Sequence, residues 1–403
     1  MNLSYTERIL DDELIELPAS KSISNRALIV QALCHEKIEL LNLSEAEDTQ
    51  ILQSSLNNKS LHKHLGLAGT ATRFISAFLA LQKSNYLVDA ASRMRERPMR
   101  ELLEALETLG AEISYQDKAY HLPFTINGSK IQGGKLKISA KNSSQFASAL
   151  LLIAPKLKGG LELELSEEIN SAPYIKMSLE MLRYFGVKVE ESGNFIRIEE
   201  QNYQGRSLEI ESDWSAAAYF YSIVALLDEG SLLLKGLHKF SWQGDNQVSD
   251  IYYRLGVKTD IVGDCIRLSK SENRSSYLEY DFKDCPDLAQ TVICSCVGLG
   301  IEGKFSGLHT LSLKESDRIK ALQNELKQFA FRLREEDAIY FLERDLDLAR
   351  SPKKIVKTYQ DHRMAMSFAP LAIIYGEIEI ENPEVVNKSF PSFWRELEKI
   401  SLK

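Results

Sequence analysis

Apolar stretches of helical length recur along the chain, each followed by a turn and a short strand, and this succession occurs six times. The predicted strands lie at 38–43, 86–90, 161–166, 231–237, 304–308 and 377–382. The helices before them include NRALIVQAL, TATRFISAFLAL, QFASALLLIA, SAAAYFYSIVALL, LAQTVICSCVGL and MAMSFAPLAIIY. Such alternation also arises in unrelated α/β sequences. Here it predicts an α/β fold built from one repeated unit, because a further phrase recurs with it.

That phrase ends the second helix of the unit: LETLGAEISY, LRYFGVKVEE and YYRLGVKTDI. Gly110, Gly186 and Gly256 fit the position just past a helix end, where φ becomes positive. LKQFAFRLRE is a degenerate copy, with Ala330 in place of the glycine. The unit is therefore β-α-β-α plus further strands. The first copy is shortened, because only NNKSLHKHLGL separates its second helix from the next copy.

A chain of 403 residues is too long for one ordinary core, and six repeats predict two domains of three each. Copies four to six fill 214–403, and we expect residues 1–19 to pair with them in a discontinuous domain. Copies one to three form an inserted domain over 20–213. We expect the active site in the cleft between the two domains.

The composition is that of a globular protein, with 44% hydrophobic and 26% charged residues. The net charge of −8 argues against a general nucleic-acid binder but is compatible with a local basic pocket. No apolar run reaches the ~20 residues of a membrane helix, and the polar N-terminus lacks a signal core. We therefore expect a cytoplasmic protein. Five cysteines without a C-x-x-C pair indicate neither a disulfide framework nor a zinc site, and Cys294 and Cys296 are expected in the core.

Polar groups gather where the first helix of each repeat begins, and free backbone N–H groups there attract anions. In chain order these starts contain Ser20 to Arg26, Gly69-Thr70, Ser143 to Gln145, Ser212 to Ser215, Pro286-Asp287 and Asp361 to Arg363. The second helices add Arg93, Arg97, Ser171, Tyr174, Lys314, Glu315, Arg318 and Lys388. Any one of these groups, taken alone, is more simply explained as a helix cap or as the solvent-exposed face of a helix. Six equivalent starts together predict convergence on small phosphate-bearing anions.

Two details of spacing add to this picture. Lys314 and Arg318 are four residues apart, which would place them on one helical face with an anion between them. Pro98 fits the first turn of a helix. The P-loop, dinucleotide-fingerprint, zinc-protease and nucleophile-elbow motifs are absent from the sequence. Phosphate must therefore be held by lysine, arginine, serine and helix ends.

Four motifs of the chain resemble the 5-enolpyruvylshikimate-3-phosphate synthase family of enolpyruvyl transferases: LPASKSISNRAL at 17–28, RMRERP at 93–98, KESDR at 314–318 and DHRMAM at 361–366. The resemblance covers the whole chain in order. It implies two inside-out α/β domains, each of three β-α-β-α-β-β repeats. It also implies transfer of the enolpyruvyl group of phosphoenolpyruvate to the 5-hydroxyl of shikimate 3-phosphate, with release of phosphate and without metal or organic cofactor.

The resemblance also implies a role for each matching residue. Glu315 would be the proton donor, Asp287 the base near the 5-hydroxyl, and Lys21 a further catalytic residue. The implied phosphoenolpyruvate ligands are Lys21, Gly69, Arg97, Arg318, Arg363 and Lys388. The implied shikimate 3-phosphate ligands are Lys21, Ser22, Arg26, Ser143, Ser144, Gln145, Ser171, Tyr174, Asp287 and Lys314. His362 fits either an assisting role in proton transfer or a structural hydrogen bond.

The chain departs from the family pattern at four positions. Leu67 and Thr310 stand where asparagine is common, Phe74 stands at a proline position, and Ser312 replaces a frequent arginine. The implied acid, base and main cations are intact, so we expect activity. Gly69 implies room for the inhibitor glyphosate in the phosphoenolpyruvate site, with the sensitivity moderated by Phe74.

Two other functions stay open on the sequence. UDP-N-acetylglucosamine enolpyruvyl transferase shares the chemistry but uses a loop cysteine in a Pro-Gly-Gly-Cys setting, which none of the five cysteines has. A non-catalytic paralogue that keeps the anion pocket would also explain the departures at 67, 310 and 312. For the enzyme we expect a monomer whose partners are the two small substrates, with no nucleic acid and no membrane.

Overall fold

The computed structural model describes residues 1–139, 144–166, 169–348 and 351–403. The chain forms two compact units. The C-terminal unit consists of Met1–Pro18 and Glu211–Lys403, and the inserted unit is Ala19–Ile210. Within the described ranges, none of the helices has the length and apolar character needed to cross a membrane.

Strands and helices alternate in both units. In chain order, strands β1 to β21 are Asn2–Leu3, Glu13–Glu16, Leu40–Leu41, His62–His64, Tyr86–Asp89, Glu112–Tyr115, Phe124–Asn127, Gly134–Ser139, Leu161–Ser166, Glu190–Ser192, Phe195–Ile198, Leu208–Glu209, Ser231–Lys235, Leu255–Val262, Cys265–Arg274, Tyr277–Asp281, Glu302–Ser306, Phe331–Glu336, Ile339–Arg344, Lys354–Val356 and Ile378–Ile380. Helices α1 to α14 are Lys21–Leu33, Glu47–Asn57, Gly69–Leu79, Ser92–Arg95, Arg100–Thr108, Ser144–Ile153, Ala172–Tyr184, Trp214–Leu226, Val248–Tyr253, Ala289–Leu299, Arg318–Glu325, His362–Phe368, Ala372–Tyr375 and Phe393–Lys399.

One strand order occurs in four of the sheets formed by the described residues. It is β4-β5-β7-β6 and β8-β9-β11-β10 in the inserted unit, and β2-β13-β15-β14 and β16-β17-β19-β18 in the C-terminal unit. In each sheet the first two strands pair in parallel, and the last two form an antiparallel pair joined by a short connection. The predicted β-α-β-α-β-β repeat is confirmed.

The first and last repeats form smaller sheets. In the first, α2 ends at Asn57 and β4 of the next repeat begins at His62, so the shortened copy is confirmed. Its strand β3 pairs in parallel with β12, which comes from the far end of the inserted unit. In the last, β21 pairs in parallel with β20 and antiparallel with β1. Strand β2 likewise pairs with β13, so both N-terminal strands lie in the C-terminal unit.

The first helices of the repeats form the interior of each unit. In the inserted unit α1, α3 and α6 pack on one another, and in the C-terminal unit α8 and α12 both pack on α10. Helices surrounded by protein can be apolar on all sides, which explains sequences such as SAAAYFYSIVALL. Cys294 and Cys296 are fully buried in α10, as predicted. The helices thus lie inside the sheets, which is the inside-out arrangement.

The predicted helix ends at Gly110, Gly186 and Ala330 are confirmed, with φ of 100°, 81° and 60°. Gly256 also has a positive φ, 86°, but it is the second residue of β14 rather than the residue just past the end of α9. Two further local predictions are corrected. The last apolar helix is broken: α12 ends at Phe368 and α13 begins at Ala372, because proline at 370 cannot donate a backbone hydrogen bond. Pro98 lies before α5, which begins at Arg100 after a Met99 cap, so its predicted place in the first helical turn was wrong.

Candidate active site

Three carboxylates and four cations of the C-terminal unit are linked to one another by salt bridges. We call this group the carboxylate–cation cluster; it contains Asp287, Glu315, Asp361, Lys314, Arg318, Arg363 and Lys388. Its members lie near the starts of α10, α11 and α12 and in the 3-10 turn Pro383–Lys388. The fold therefore brings together all the residues of this unit that the resemblance placed in the site.

Arg318 is the centre of the cluster and is 1% exposed. Its Nη1 lies 3.0 Å from Asp287 Oδ1, and its Nη2 lies 2.9 Å from Glu315 Oε2. Its Nε donates to Asp361 Oδ2 at 2.8 Å. Burial opposes the charge on Arg318, but the three carboxylates raise its pKa above the usual value. A permanently charged planar group therefore fixes the orientation of Asp287 and Glu315.

Lys314 and Arg318 do not share a helical face, so that prediction was wrong. Asp317 caps α11 by accepting from the Lys320 N–H at 3.2 Å, and the helix therefore begins at Arg318. Lys314 lies before it in extended backbone. The two cations meet at Asp287, where Lys314 Nζ is 3.4 Å and Arg318 Nη1 is 3.0 Å from Oδ1. The group between them in this structure is a carboxylate.

Asp287 is surrounded by cations. Arg363 Nη2 lies 3.3 Å from Asp287 Oδ2, and Arg363 Nη1 donates to the Asp287 carbonyl at 3.0 Å. Burial alone would raise the pKa of Asp287, but Arg363, Lys314 and Arg318 together hold it well below the usual value. Asp287 is therefore ionised, and its basicity depends on how fully these cations are engaged.

Both oxygens of Glu315 face cations. Oε2 accepts from Arg318 at 2.9 Å, and Oε1 lies 3.5 Å from Lys388 Nζ. Lys388 is buried at the end of its 3-10 turn. Burial of a lysine side chain is costly unless a polar partner lies nearby, and the Glu315 carboxyl group is such a partner.

Asp361 is 0% exposed and accepts hydrogen bonds from several groups in and around the cluster. It caps α12 by accepting from the Arg363 N–H at 3.0 Å, and it accepts from Ser316 Oγ at 3.0 Å as well as from Arg318. His362 Nδ1 lies 3.6 Å from Asp361 Oδ1. The sequence assigned Asp361 only to a helix start, although an aspartate directly before two basic residues was the available signal.

The inserted unit has its own group of predicted ligands, centred on Arg26. This side chain is 1% exposed and donates to Ser178 Oγ at 2.8 Å, Ser148 Oγ at 3.1 Å, and the carbonyls of Ser22 at 2.8 Å and Tyr174 at 3.0 Å. Burial lowers the pKa of Arg26 to about 10. It therefore remains cationic at neutral pH.

Helix α3 organises two further predicted ligands. A Cβ added at Gly69 would lie 2.5 Å from Arg97 Nη1. The absence of a side chain at Gly69 therefore lets the Arg97 guanidinium lie close to the backbone at the start of α3. Gln145 accepts from Arg73 Nη1 at 2.8 Å and donates to Thr70 Oγ1 at 3.1 Å. Arg73 was missed as a contributor, although an arginine within an otherwise apolar helix was a signal of a buried partner.

The remaining predicted ligands of the inserted unit lie at helix starts. Lys21 is the first residue of α1, with Nζ 3.3 Å from the buried Asp48 Oδ2, and Ser144 is the buried first residue of α6. Ser171 is buried directly before α7 with a positive φ of 58°. Ser143 lies outside the described residues.

Comparison with known proteins decides the assignment. The family model for EPSP synthase (3-phosphoshikimate 1-carboxyvinyltransferase) matches residues 51–397. The chain belongs to the EPSP synthase family. It is 40% identical over 386 residues to the 3-phosphoshikimate 1-carboxyvinyltransferase of Bacteroides fragilis strain YCH46, covering 96% of this chain and 94% of that protein. It is 32% identical over 424 residues to that of Mannheimia haemolytica, covering 96% of each.

The structural comparison agrees on the fold. An EPSP synthase structure from Acinetobacter baumannii matches with a TM-score of 0.78 at 21% identity, covering 100% of this chain and 98% of that one. The predicted α/β fold of the EPSP synthase family and the prediction of a transferase are therefore confirmed. The UDP-N-acetylglucosamine alternative is not favoured, since the family model and the relatives reported above are all named for the shikimate reaction.

The departures from the EPSP synthase pattern have different structural settings. Thr310 Oγ1 is buried and has no hydrogen-bond partner among the described residues, so a hydroxyl is available where the family has an amide. Ser312 donates to the His309 carbonyl at 3.2 Å and thus serves a local turn. Phe74 is fully buried in α3.

A buried aspartate that was not predicted lies near the cluster. Asp245 is 3% exposed, and its Oδ2 accepts from the Ser215 hydroxyl. Burial, with the negative charge of Asp287, raises the pKa of Asp245 to about 7, although Arg363 opposes the shift. This carboxyl therefore changes charge near neutral pH in the folded protein.

We expect this titration to appear in the thermal stability. The folded pKa of about 7 exceeds the ordinary aspartate value, so the folded protein holds a proton that the unfolded chain has released. The free energy of unfolding must then fall as pH rises from roughly 4 to 7. Asp245→Asn should melt near wild type at about pH 4 and several degrees higher at about pH 8. Asp250→Asn, an exposed neighbour, is the matched control; equal pH profiles for wild type and Asp245→Asn would contradict the assignment.

Proposed function

We propose that this chain transfers the enolpyruvyl group of phosphoenolpyruvate to the 5-hydroxyl of shikimate 3-phosphate and releases inorganic phosphate. The observation that carries the proposal is the Arg318-centred cluster. It holds two carboxylates on one guanidinium, Asp287 at 3.0 Å and Glu315 at 2.9 Å, among further buried cations. The reaction needs an acid, a base and dense positive charge around two polyanions, and the carboxyl groups and cations of this cluster are the residue types that can supply them.

In the proposed addition step, Glu315 is protonated once the anionic substrates engage Arg318 and Lys388. It donates this proton to the methylene carbon of phosphoenolpyruvate, and cationic character develops at C2. The 5-hydroxyl oxygen of shikimate 3-phosphate bonds to C2, and Asp287 accepts its proton. In elimination the bond from C2 to the phosphate oxygen breaks, the methyl group returns one proton to Glu315 to restore the double bond, and Asp287 passes its proton to the departing phosphate. Protons and electron pairs balance over the two steps without a cofactor.

Both units contribute ligands in this proposal. Arg318, Arg363 and Lys388 of the cluster bind phosphoenolpyruvate together with Lys21, Gly69 and Arg97 of the inserted unit. Shikimate 3-phosphate is bound by Asp287 and Lys314 and by the inserted-unit residues Lys21, Ser22, Arg26, Ser143, Ser144, Gln145, Ser171 and Tyr174. Arginine suits the bidentate recognition of carboxylate and phosphate, and hydroxyls suit a polyhydroxylated ring.

The electrostatics of Asp287 support its role as base. Arg363, Lys314 and Arg318 all act on this carboxylate, and they hold its pKa well below the usual value. Anionic substrates would share the same cations, so that less positive charge acts on Asp287. Its pKa would then rise toward the range of an effective base when both substrates are bound.

The direct test is phosphate release on mixing shikimate 3-phosphate with phosphoenolpyruvate. We expect release with both substrates and none when either is omitted or when UDP-N-acetylglucosamine replaces shikimate 3-phosphate. Detectable binding of shikimate 3-phosphate without release would instead support a non-catalytic paralogue. We further propose a cytoplasmic monomer, which light scattering of the purified protein tests for oligomeric state.

Substitution of Gly69 should act through Arg97. In Gly69→Ala the new Cβ would lie 2.5 Å from Nη1 and 2.8 Å from Cζ of Arg97, so the guanidinium must move. We expect KM for phosphoenolpyruvate and the inhibition constant for glyphosate to rise by about 10- to 100-fold, because a displacement of about 1 Å has effects of that size. Gly134→Ala, where the nearest atom is 3.9 Å away, is the control. Unchanged constants in Gly69→Ala would remove Arg97 from the phosphoenolpyruvate site.

A further inference from the structure

Arg26 of α1 lies over the ring of Phe74 of α3. The Arg26 Cζ lies 5.4 Å from the centroid of the Phe74 ring, and both side chains are 1% exposed. A cation over an aromatic face is attracted by the ring quadrupole, and more strongly where water is excluded. Because both side chains are buried, water does not weaken the attraction between the Arg26 cation and the Phe74 ring.

The surroundings of Arg26 make the ring important. The hydrogen bonds of its guanidinium go to two serine hydroxyls and two backbone carbonyls, and none of these acceptors is ionised. No salt bridge joins Arg26 to a carboxylate among the described residues. A buried cation without a counter-ion is costly, and burial lowers the pKa of Arg26 to about 10. The hydrogen bonds occupy the edges of the planar group, which leaves its face to Phe74.

The position is a departure of this chain from the family pattern. Proline is common there, and a proline ring has no π face. Phe74 also lies on the helix that positions Gly69 and the Gln145 partners Thr70 and Arg73. A change at Phe74 thus affects Arg26 directly. The hydrogen bonds of Gln145 are made by Thr70 and Arg73 and do not involve the Phe74 ring.

We propose that Phe74 is a positioning residue for shikimate 3-phosphate binding. Its ring holds the Arg26 guanidinium in one plane and stabilises its charge until the anionic substrate arrives, and Phe74 itself does not contact the substrate. This inference rests on the proposed function of Arg26 as a shikimate 3-phosphate ligand.

The test separates the two Michaelis constants. In Phe74→Leu we expect KM for shikimate 3-phosphate to rise about tenfold, with kcat and KM for phosphoenolpyruvate within about twofold of wild type. Phe124→Leu removes a buried ring of the same unit that packs against Tyr115, and it should leave both constants near wild type. If both variants raise the two constants equally, Phe74 acts only through general packing and the proposal is wrong.

A second measurement varies the π face with little change in volume. Incorporation of 4-fluoro-, 3,5-difluoro- and 3,4,5-trifluorophenylalanine at position 74 weakens the ring quadrupole in steps. We expect KM for shikimate 3-phosphate to rise with each fluorine, a response that a packing role would not produce. A flat series overturns the proposal even if Phe74→Leu fails to fold.

Arg26→Ala distinguishes failure of this inference from failure of the proposed function. A large rise in KM for shikimate 3-phosphate in Arg26→Ala, with a flat fluorine series, would overturn only the role of Phe74. An Arg26→Ala enzyme with an unchanged KM would overturn the ligand assignment, and the role of Phe74 with it.

Discussion

Glu315→Gln is expected to lower kcat by about 10²-fold or more while both substrates still bind. The amide has the volume of the carboxyl group and can still accept from Arg318, now 2.9 Å from Oε2. It cannot transfer a proton to carbon, which the addition step needs. Loss of the charge near Lys388, 3.5 Å from Oε1, would leave the phosphoenolpyruvate ligands intact or more available to the anion.

The matched control lies at the far end of the helix that follows Glu315. Glu325 is 4% exposed at the end of α11 and accepts from Tyr359 and Gln328, away from the cluster. Glu325→Gln should keep kcat within a few-fold of wild type. Steady-state phosphate release gives kcat, and calorimetric titration with shikimate 3-phosphate checks binding. Near-normal turnover in Glu315→Gln would show that the acid is misassigned, and Lys388 would be the next candidate.

Asp361→Ala should produce the largest loss of stability among single substitutions in the cluster. It leaves the buried Arg318 without its Nε partner at 2.8 Å and removes the α12 cap at the Arg363 N–H. Breaking a buried charge pair costs about 3–5 kcal/mol, and a lost cap costs about 1 kcal/mol. For a unit of this size we expect the melting temperature to fall by roughly 10 °C or more.

Asp361→Asn separates the two contributions. Asparagine is as good a helix cap as aspartate, so this variant loses the charge but keeps the cap. It should melt between wild type and Asp361→Ala, and its KM for phosphoenolpyruvate should rise because Arg318 is less firmly held. Thermal unfolding by circular dichroism measures the first effect. Two variants that both melt within 2 °C of wild type would show that Arg318 does not depend on Asp361.

Local patterns in the sequence predicted much of the fold. The helical ends at Gly110 and Gly186 and the degenerate end at Ala330 were predicted because positive φ has a strong local signature. The shortened first repeat was predicted from the few residues between α2 and β4. The break of the last apolar helix before Ala372 was not predicted, although proline there is itself a local signal.

The site was predicted less evenly. Lys314 and Arg318 were expected to flank an anion on one helix, whereas the cap at Asp317 separates them and Asp287 joins them. The meeting of the two cations depends on Asp287, which lies far from them in the sequence. Asp245 was not predicted, because a carboxyl group far from any motif gives no sign in the sequence that it will be buried.

The sequence by itself determined the repeat, the helix ends and the residue types that gather at helix starts, because these depend on neighbours a few positions apart. The tertiary structure alone decided which charges meet. Arg318 binds Asp287 and Asp361 from two distant segments, and Arg26 lies over the ring of Phe74 on another helix. Burial and pairing set the strength and the pKa of a charge, and both are properties of packing rather than of local sequence.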